Sequence, residues 1–67
     1  MKLYDVTRRT YVKVIGESTA PPEAREVSKD EIVFFDHLDG AYSYCKDEYS
    51  NIVHLPAWQE VEIVNDI

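Results

Sequence analysis

Cysteine is nearly missing from this chain: Cys45 stands alone in 67 residues. A lone cysteine forms no internal disulfide, and it cannot anchor a zinc site of the usual multi-cysteine kind. A chain this short buries only about 60% of the surface its unfolded form exposes, so cores of this size are often supplemented by disulfides, metals or a partner chain. A partner surface is the supplement left open here. Glycine is scarce too. Gly16 and Gly40 are the only two, and no Gly-rich phosphate loop can be built from them. No apolar run approaches the roughly 18 residues of a membrane span. The start, Met1-Lys2-Leu3-Tyr4-Asp5, has no apolar stretch behind its basic residue, so no signal peptide is expected. A free thiol without an export signal implies a cytoplasmic protein that does not engage a membrane.

Basic side chains are also in the minority. Seven lysines and arginines face thirteen aspartates and glutamates, a formal charge of -6. Such a surface repels phosphate and disfavours direct nucleic-acid binding. It favours solubility and attraction to a partner with a basic surface. The hydrophobic fraction of 45% and aromatic fraction of 12% are those of an ordered globular domain, and residues 1–67 read as a single one.

The residues that are present read mostly as strand. "LYDV" and "TYVKVI" are rich in β-branched and aromatic side chains. In the second, Thr10, Val12 and Val14 point one way and Tyr11, Lys13 and Ile15 the other. From Gly16 to Lys29 the chain holds Pro21-Pro22, Ser18, Thr19 and many charges, which predicts a long surface loop, with room for a helical turn at Pro22 to Arg25. "EIVFFDHL" is the next strand, and Asp39-Gly40 signals a tight hairpin turn. "AYSYCKD" returns, with Tyr42 and Tyr44 on one face and Ala41, Ser43 and Cys45 on the other. A turn follows at "EYSN", where Asn51 suits left-handed geometry. "IVHLP" is a short strand closed by Pro56. "AWQE" allows one helical turn, and "VEIV" is the last strand. Five short antiparallel strands predict an all-β fold that curls into a small barrel and hides its edges. The predicted core is Val12, Val14, Val33, Phe35, Tyr44, Val53, Leu55, Val61 and Ile63.

Several stretches echo a known architecture. "KLYD" at Lys2 to Asp5 resembles the ALYD start of signalling SH3 domains, and the Gly16–Lys29 loop falls where their long RT loop lies. "KDEIVFFDHLDGAYSY" resembles their KGDIIEVL strand with its turn and aromatic return. "HLPAWQEVEIV" is similar to their IPSNYVEEI close. The resemblance spans nearly the whole chain and implies an SH3-like five-stranded barrel with a long first loop and a short helical turn before the last strand. It departs in two places. Ala41-Tyr42 stands where those domains carry a tryptophan pair, and the Pro56–Val61 turn is one residue longer. A groove for proline-rich ligands needs closely spaced aromatic ridges, and Tyr4, Tyr42 and Trp58 offer a partial one. The length, acidity and compactness also resemble small accessory proteins of tailed bacteriophages, many of which bind and disable one host protein.

Cys45 acts as a nucleophile only with a base such as His37 or His54 within hydrogen-bond reach; on its strand it reads as a small inward residue. Asp36, His37, Asp39 and His54 hold metal-ligating groups, yet strict alternation sends Asp36 and His37 to opposite faces. Asp47, Glu48, Glu60 and Glu62 lack the cleft that paired-carboxylate hydrolysis needs. Neither catalysis nor a cofactor or metal is therefore expected.

What remains is recognition. Phe34 faces outward if Val33 and Phe35 face in, unless the long loop covers it with Pro21, Pro22 and Val27. With Tyr4, Tyr42, Tyr49 and Trp58 it supplies aromatic anchors, and Asp47 and Glu48 supply acidic ones. The reading is a non-enzymatic protein-interaction module, possible also as a homodimer, that blocks or recruits one protein. The alternative is an acidic mimic of DNA that inhibits a nucleic-acid-binding protein.

Overall fold

A computed structural model describes residues 1–16 and 27–64. The predicted helical turn at Pro22 to Arg25, and most of the long loop, lie outside the described residues. Five strands form one antiparallel sheet: β1 (Thr10–Val14), β2 (Ile32–Asp39), β3 (Tyr42–Lys46), β4 (Ile52–Val53) and β5 (Val61–Ile63). Their spatial order is β4-β3-β2-β1-β5. Among the described residues no ladder joins β4 to β5, so the sheet is open rather than closed into a barrel.

The stretch "LYDV", read as strand from its side chains, is not one. Leu3–Asp5 make a 3-10 turn, with the Val6 N–H donating to the Leu3 carbonyl at 3.0 Å. The reason is the spacing of its apolar residues. Side chains three apart eclipse in a 3-10 turn, and Leu3 and Val6 are both buried. This turn is strapped to the far end of the chain: the Leu3 N–H donates to Gln59 and the Tyr4 N–H to Ala57.

The hairpin turn sits one residue later than the Asp39-Gly40 signal implied. Asp39 pairs with Tyr42, leaving Gly40-Ala41 as the two turn residues. Gly40 has φ +69° while Ala41 does not take positive φ, the pattern of a hairpin turn with glycine first. A second irregularity follows within β2. Phe35 pairs with Cys45, but His37 pairs with Tyr44, so Asp36 is the extra residue of a β-bulge.

These two shifts decide which face of β3 is inside. A turn at Asp39-Gly40 would set Tyr44 opposite Phe35, in the core. The observed register sets Cys45 there instead, and a one-residue slip exchanges the two faces. Tyr44 is consequently 38% exposed, against its predicted place in the core. Ile63 is also outside, at 40%, because it ends an edge strand and has the Val12 strand on one side only. The other predicted core residues, Val12, Val14, Val33, Phe35, Val53, Leu55 and Val61, are buried, joined by Leu3, Val6, Val27 and Cys45.

Two other local expectations shift. Left-handed geometry in the β3–β4 turn falls on Ser50, φ +66°, rather than Asn51. The segment before β5 is a single reverse turn closed by the Gln59 N–H on the Pro56 carbonyl at 2.9 Å, not a turn of helix. Buried polar groups there are satisfied. Gln59 donates from Nε2 to the carbonyls of Ile15 and Glu60, at 3.1 and 3.2 Å. Ser43 Oγ donates to the Leu55 carbonyl at 3.0 Å and accepts the Leu55 N–H at 3.2 Å, continuing the β3–β4 connection past the last ladder pair.

Candidate functional site: the outward face of the sheet

Alternation gives the sheet an outward face, and register brings its side chains into rows. Tyr11 lies opposite Phe34, Phe34 opposite Lys46, and Lys46 opposite Ile52, one row across four strands. The Tyr11 and Phe34 rings meet edge-to-face at 5.0 Å between centroids, a favoured aromatic geometry. Both keep surface toward solvent; Tyr11 is 40% exposed.

Beside this pair runs an open groove of about 750 Å³. Tyr11, Ile32 and Phe34 form its apolar part. Asp30, Glu31, Asp47 and Glu48 stand around it with, among the described residues, one basic residue, Lys46. The four acids come from two separate segments, the entry to β2 and the β3–β4 turn. The same four also line an adjoining groove with Tyr49, which is 77% exposed. Local structure holds two of these carboxylates. Asp47 Oδ1 accepts the N–H groups of Tyr49 and Asn51, both at 2.9 Å, an Asx-type turn. Glu31 Oε1 accepts the Ser28 N–H at 3.1 Å. Lys13 Nζ is 3.9 Å from Asp30 Oδ1, a long contact between exposed groups.

A second row consists of His37, Tyr44 and His54. Tyr44 stacks on His37 at 5.0 Å and meets His54 edge-on at 4.9 Å. His54 Nδ1 donates to the Ser43 carbonyl at 2.8 Å, which fixes its neutral tautomer. The bulge overturns the expectation that Asp36 and His37 diverge: Asp36 Oδ1 lies 3.1 Å from His37 Nδ1. The tyrosine ring nonetheless stands between the two imidazoles, and no three metal-ligating side chains gather among the described residues.

The predicted binding residues separate into two places. Phe34, Asp47, Glu48 and Tyr49 meet at the two adjoining grooves. Tyr4 and Trp58, each 56% exposed, lie on segments whose backbones are bonded to each other, and half-buried Tyr42 is bridged to Pro56 beside them. Reading by sequence did not single out Tyr11, Ile32, Asp30 or Glu31. Alternation had already set Tyr11 outward, but the approach of the β2 entry to the β3–β4 turn is a long-range fact that no local pattern carries.

Cys45 is fully buried, and burial pushes its thiol up to about 11. Its polar neighbour is Ser43 Oγ at 3.2 Å, while both histidines lie on the outward side. A thiol so shifted is scarcely ionised near neutrality and is a poor nucleophile. At the chain end, Glu60 is held below the usual carboxylate range, first by the hydrogen bond from the Met1 ammonium and then by Lys2. No helix among the described residues is long and apolar enough to cross a membrane. The chain matches no known family model, no curated protein and no solved structure.

Proposed function

We propose that this protein is a non-enzymatic interaction module that docks a basic segment of another protein in the groove on its outward sheet face. The observation that carries this reading is the pairing of an aromatic floor, Tyr11 and Phe34, with a rim of four carboxylates and one lysine. Partially exposed aromatic rings are the usual anchors of binding surfaces. The acidic rim adds attraction for a basic partner and repulsion against acidic ones. The buried, un-ionised thiol of Cys45 and its separation from the histidines support a role without catalysis.

An SH3-like architecture of the scaffold is part of the proposal. It is supported by the strand order β4-β3-β2-β1-β5, by the consecutive β1–β2–β3–β4 hairpins and by the reverse turn that precedes β5. An inhibitory outcome, of the kind that the likeness to phage accessory proteins implies, follows where the docked segment is the partner's own working surface. The DNA-mimic alternative is less favoured. Two of the four rim carboxylates accept backbone N–H groups of their own loops, whereas a phosphate mimic presents its acids outward in a row.

Charge reversal tests the reading. Full-length wild type and Glu48→Lys, each immobilised, are exposed to the same cell lysate. A protein retained by wild type and lost from the variant, with unfolding temperatures equal within about 2 °C as expected for exposed sites, is the expected result. An unchanged set of retained proteins contradicts it. Competition by duplex DNA for the retained protein would favour the mimic.

A further inference from the structure

We infer that the groove is a seat for arginine in particular, so that the docked segment is arginine-bearing rather than merely basic. This rests on the docking reading above and deepens it. The two halves of the groove differ in chemistry. Its floor is aromatic and aliphatic: the edge-to-face Tyr11–Phe34 pair at 5.0 Å, with Ile32 beside it. Its rim is carboxylate, from Asp30 and Glu31 on one segment and Asp47 and Glu48 on another. A cation that enters must shed water over the rings and meet an acid at the rim.

The two biological cations differ in this situation. Guanidinium is planar, delocalised and weakly hydrated; it stacks on rings and reaches a carboxylate with a fork of N–H donors. Ammonium is compact and strongly hydrated, so an apolar floor costs it more and offers it less. A rim without rings offers the guanidinium only its fork, and rings without a rim would hold either cation weakly. The groove has both, and it is wide enough, at about 750 Å³, to take a flat guanidinium and its aliphatic stem. Lys46 is on the row beside Phe34 and lines the groove together with Glu48.

The test uses the full chain, isotope-labelled for NMR, and two blocked peptides that differ only in having three arginines or three lysines spaced by alanine. Chemical-shift changes are followed at Tyr11, Ile32, Phe34 and Lys46 to Ser50. The expected result is saturation at these residues with the arginine peptide tighter by roughly two- to fivefold for each seated side chain. Phe34→Leu keeps an apolar floor but removes one of its two rings and should narrow the difference while both peptides still bind. Glu48→Gln, at an exposed site, should weaken both and keep the arginine preference. Equal affinity of the two peptides in wild type, with shifts at the groove, would overturn the arginine seat and leave the basic-partner reading standing. Shifts elsewhere, or none with either peptide, would overturn both.

Discussion

Ser43 and Cys45 sit side by side in the core, and each carries a measurable consequence. The Ser43 hydroxyl is the buried partner of the Leu55 N–H. Ser43→Ala leaves that donor without an acceptor, and a buried unsatisfied group costs about 1–3 kcal/mol. In a domain this small the unfolding temperature should fall by roughly 4–8 °C per kcal/mol, measured by thermal circular dichroism. Cys45 sets an alkaline limit. Its thiol is raised from 9.0 to about 11 in the fold, so the native state holds the proton more tightly than the unfolded chain. The unfolded chain loses the proton first, and stability therefore falls as pH rises from about 9 to about 11, by roughly 2–3 kcal/mol across the window. Denaturant titrations of wild type and Cys45→Val across this range should show the excess slope in wild type only. Parallel slopes would mean that the thiol is not desolvated.

The elements show what local pattern can and cannot reveal. β1 and the in/out choice for Val12, Val14, Val33 and Phe35 were legible, because alternation is a local property and each strand has one apolar face. The 3-10 turn at Leu3–Asp5 was hidden by β-favouring side chains, although the three-residue spacing of Leu3 and Val6 was there to be read. Tyr44 was misplaced for a different reason. Its face depends on the register of the hairpin, and the register depends on a turn one residue later and a bulge at Asp36 that no propensity announces. Of the site, Phe34, Asp47, Glu48 and Tyr49 could be found one at a time. Their meeting with Tyr11, Asp30 and Glu31 could not, since it comes from pairing across the sheet. The bulge itself is open to test. Removing Asp36 turns the pairs before and after it into one regular ladder, with Leu38 still opposite Ser43 and His37 still opposite Tyr44. The deletion variant should keep its cooperative fold and these cross-strand proximities by NMR. Loss of the fold would show that the bend at the bulge, rather than the register, is what the core requires.

At the scale of the molecule, a formal charge of -6 is distributed so that four acids from two distant segments converge on one aromatic groove. Exposed charges act over about 8 Å at physiological ionic strength and less in stronger salt. Association with the captured partner should therefore slow as salt rises, while dissociation, governed by the aromatic contacts, changes little. Stopped-flow measurement of both rates separates the two contributions. A salt-independent association rate would remove the acidic rim from the mechanism. The most direct measurement is a map of amide shifts in the full chain on addition of the protein that wild type retains and the charge-reversed variant does not. Changes concentrated at Tyr11, Ile32, Phe34 and Lys46 to Ser50 are expected. Changes concentrated at Tyr4, Tyr42 and Trp58, with the groove silent, would contradict the outward sheet face as the place where this protein recognises its partner.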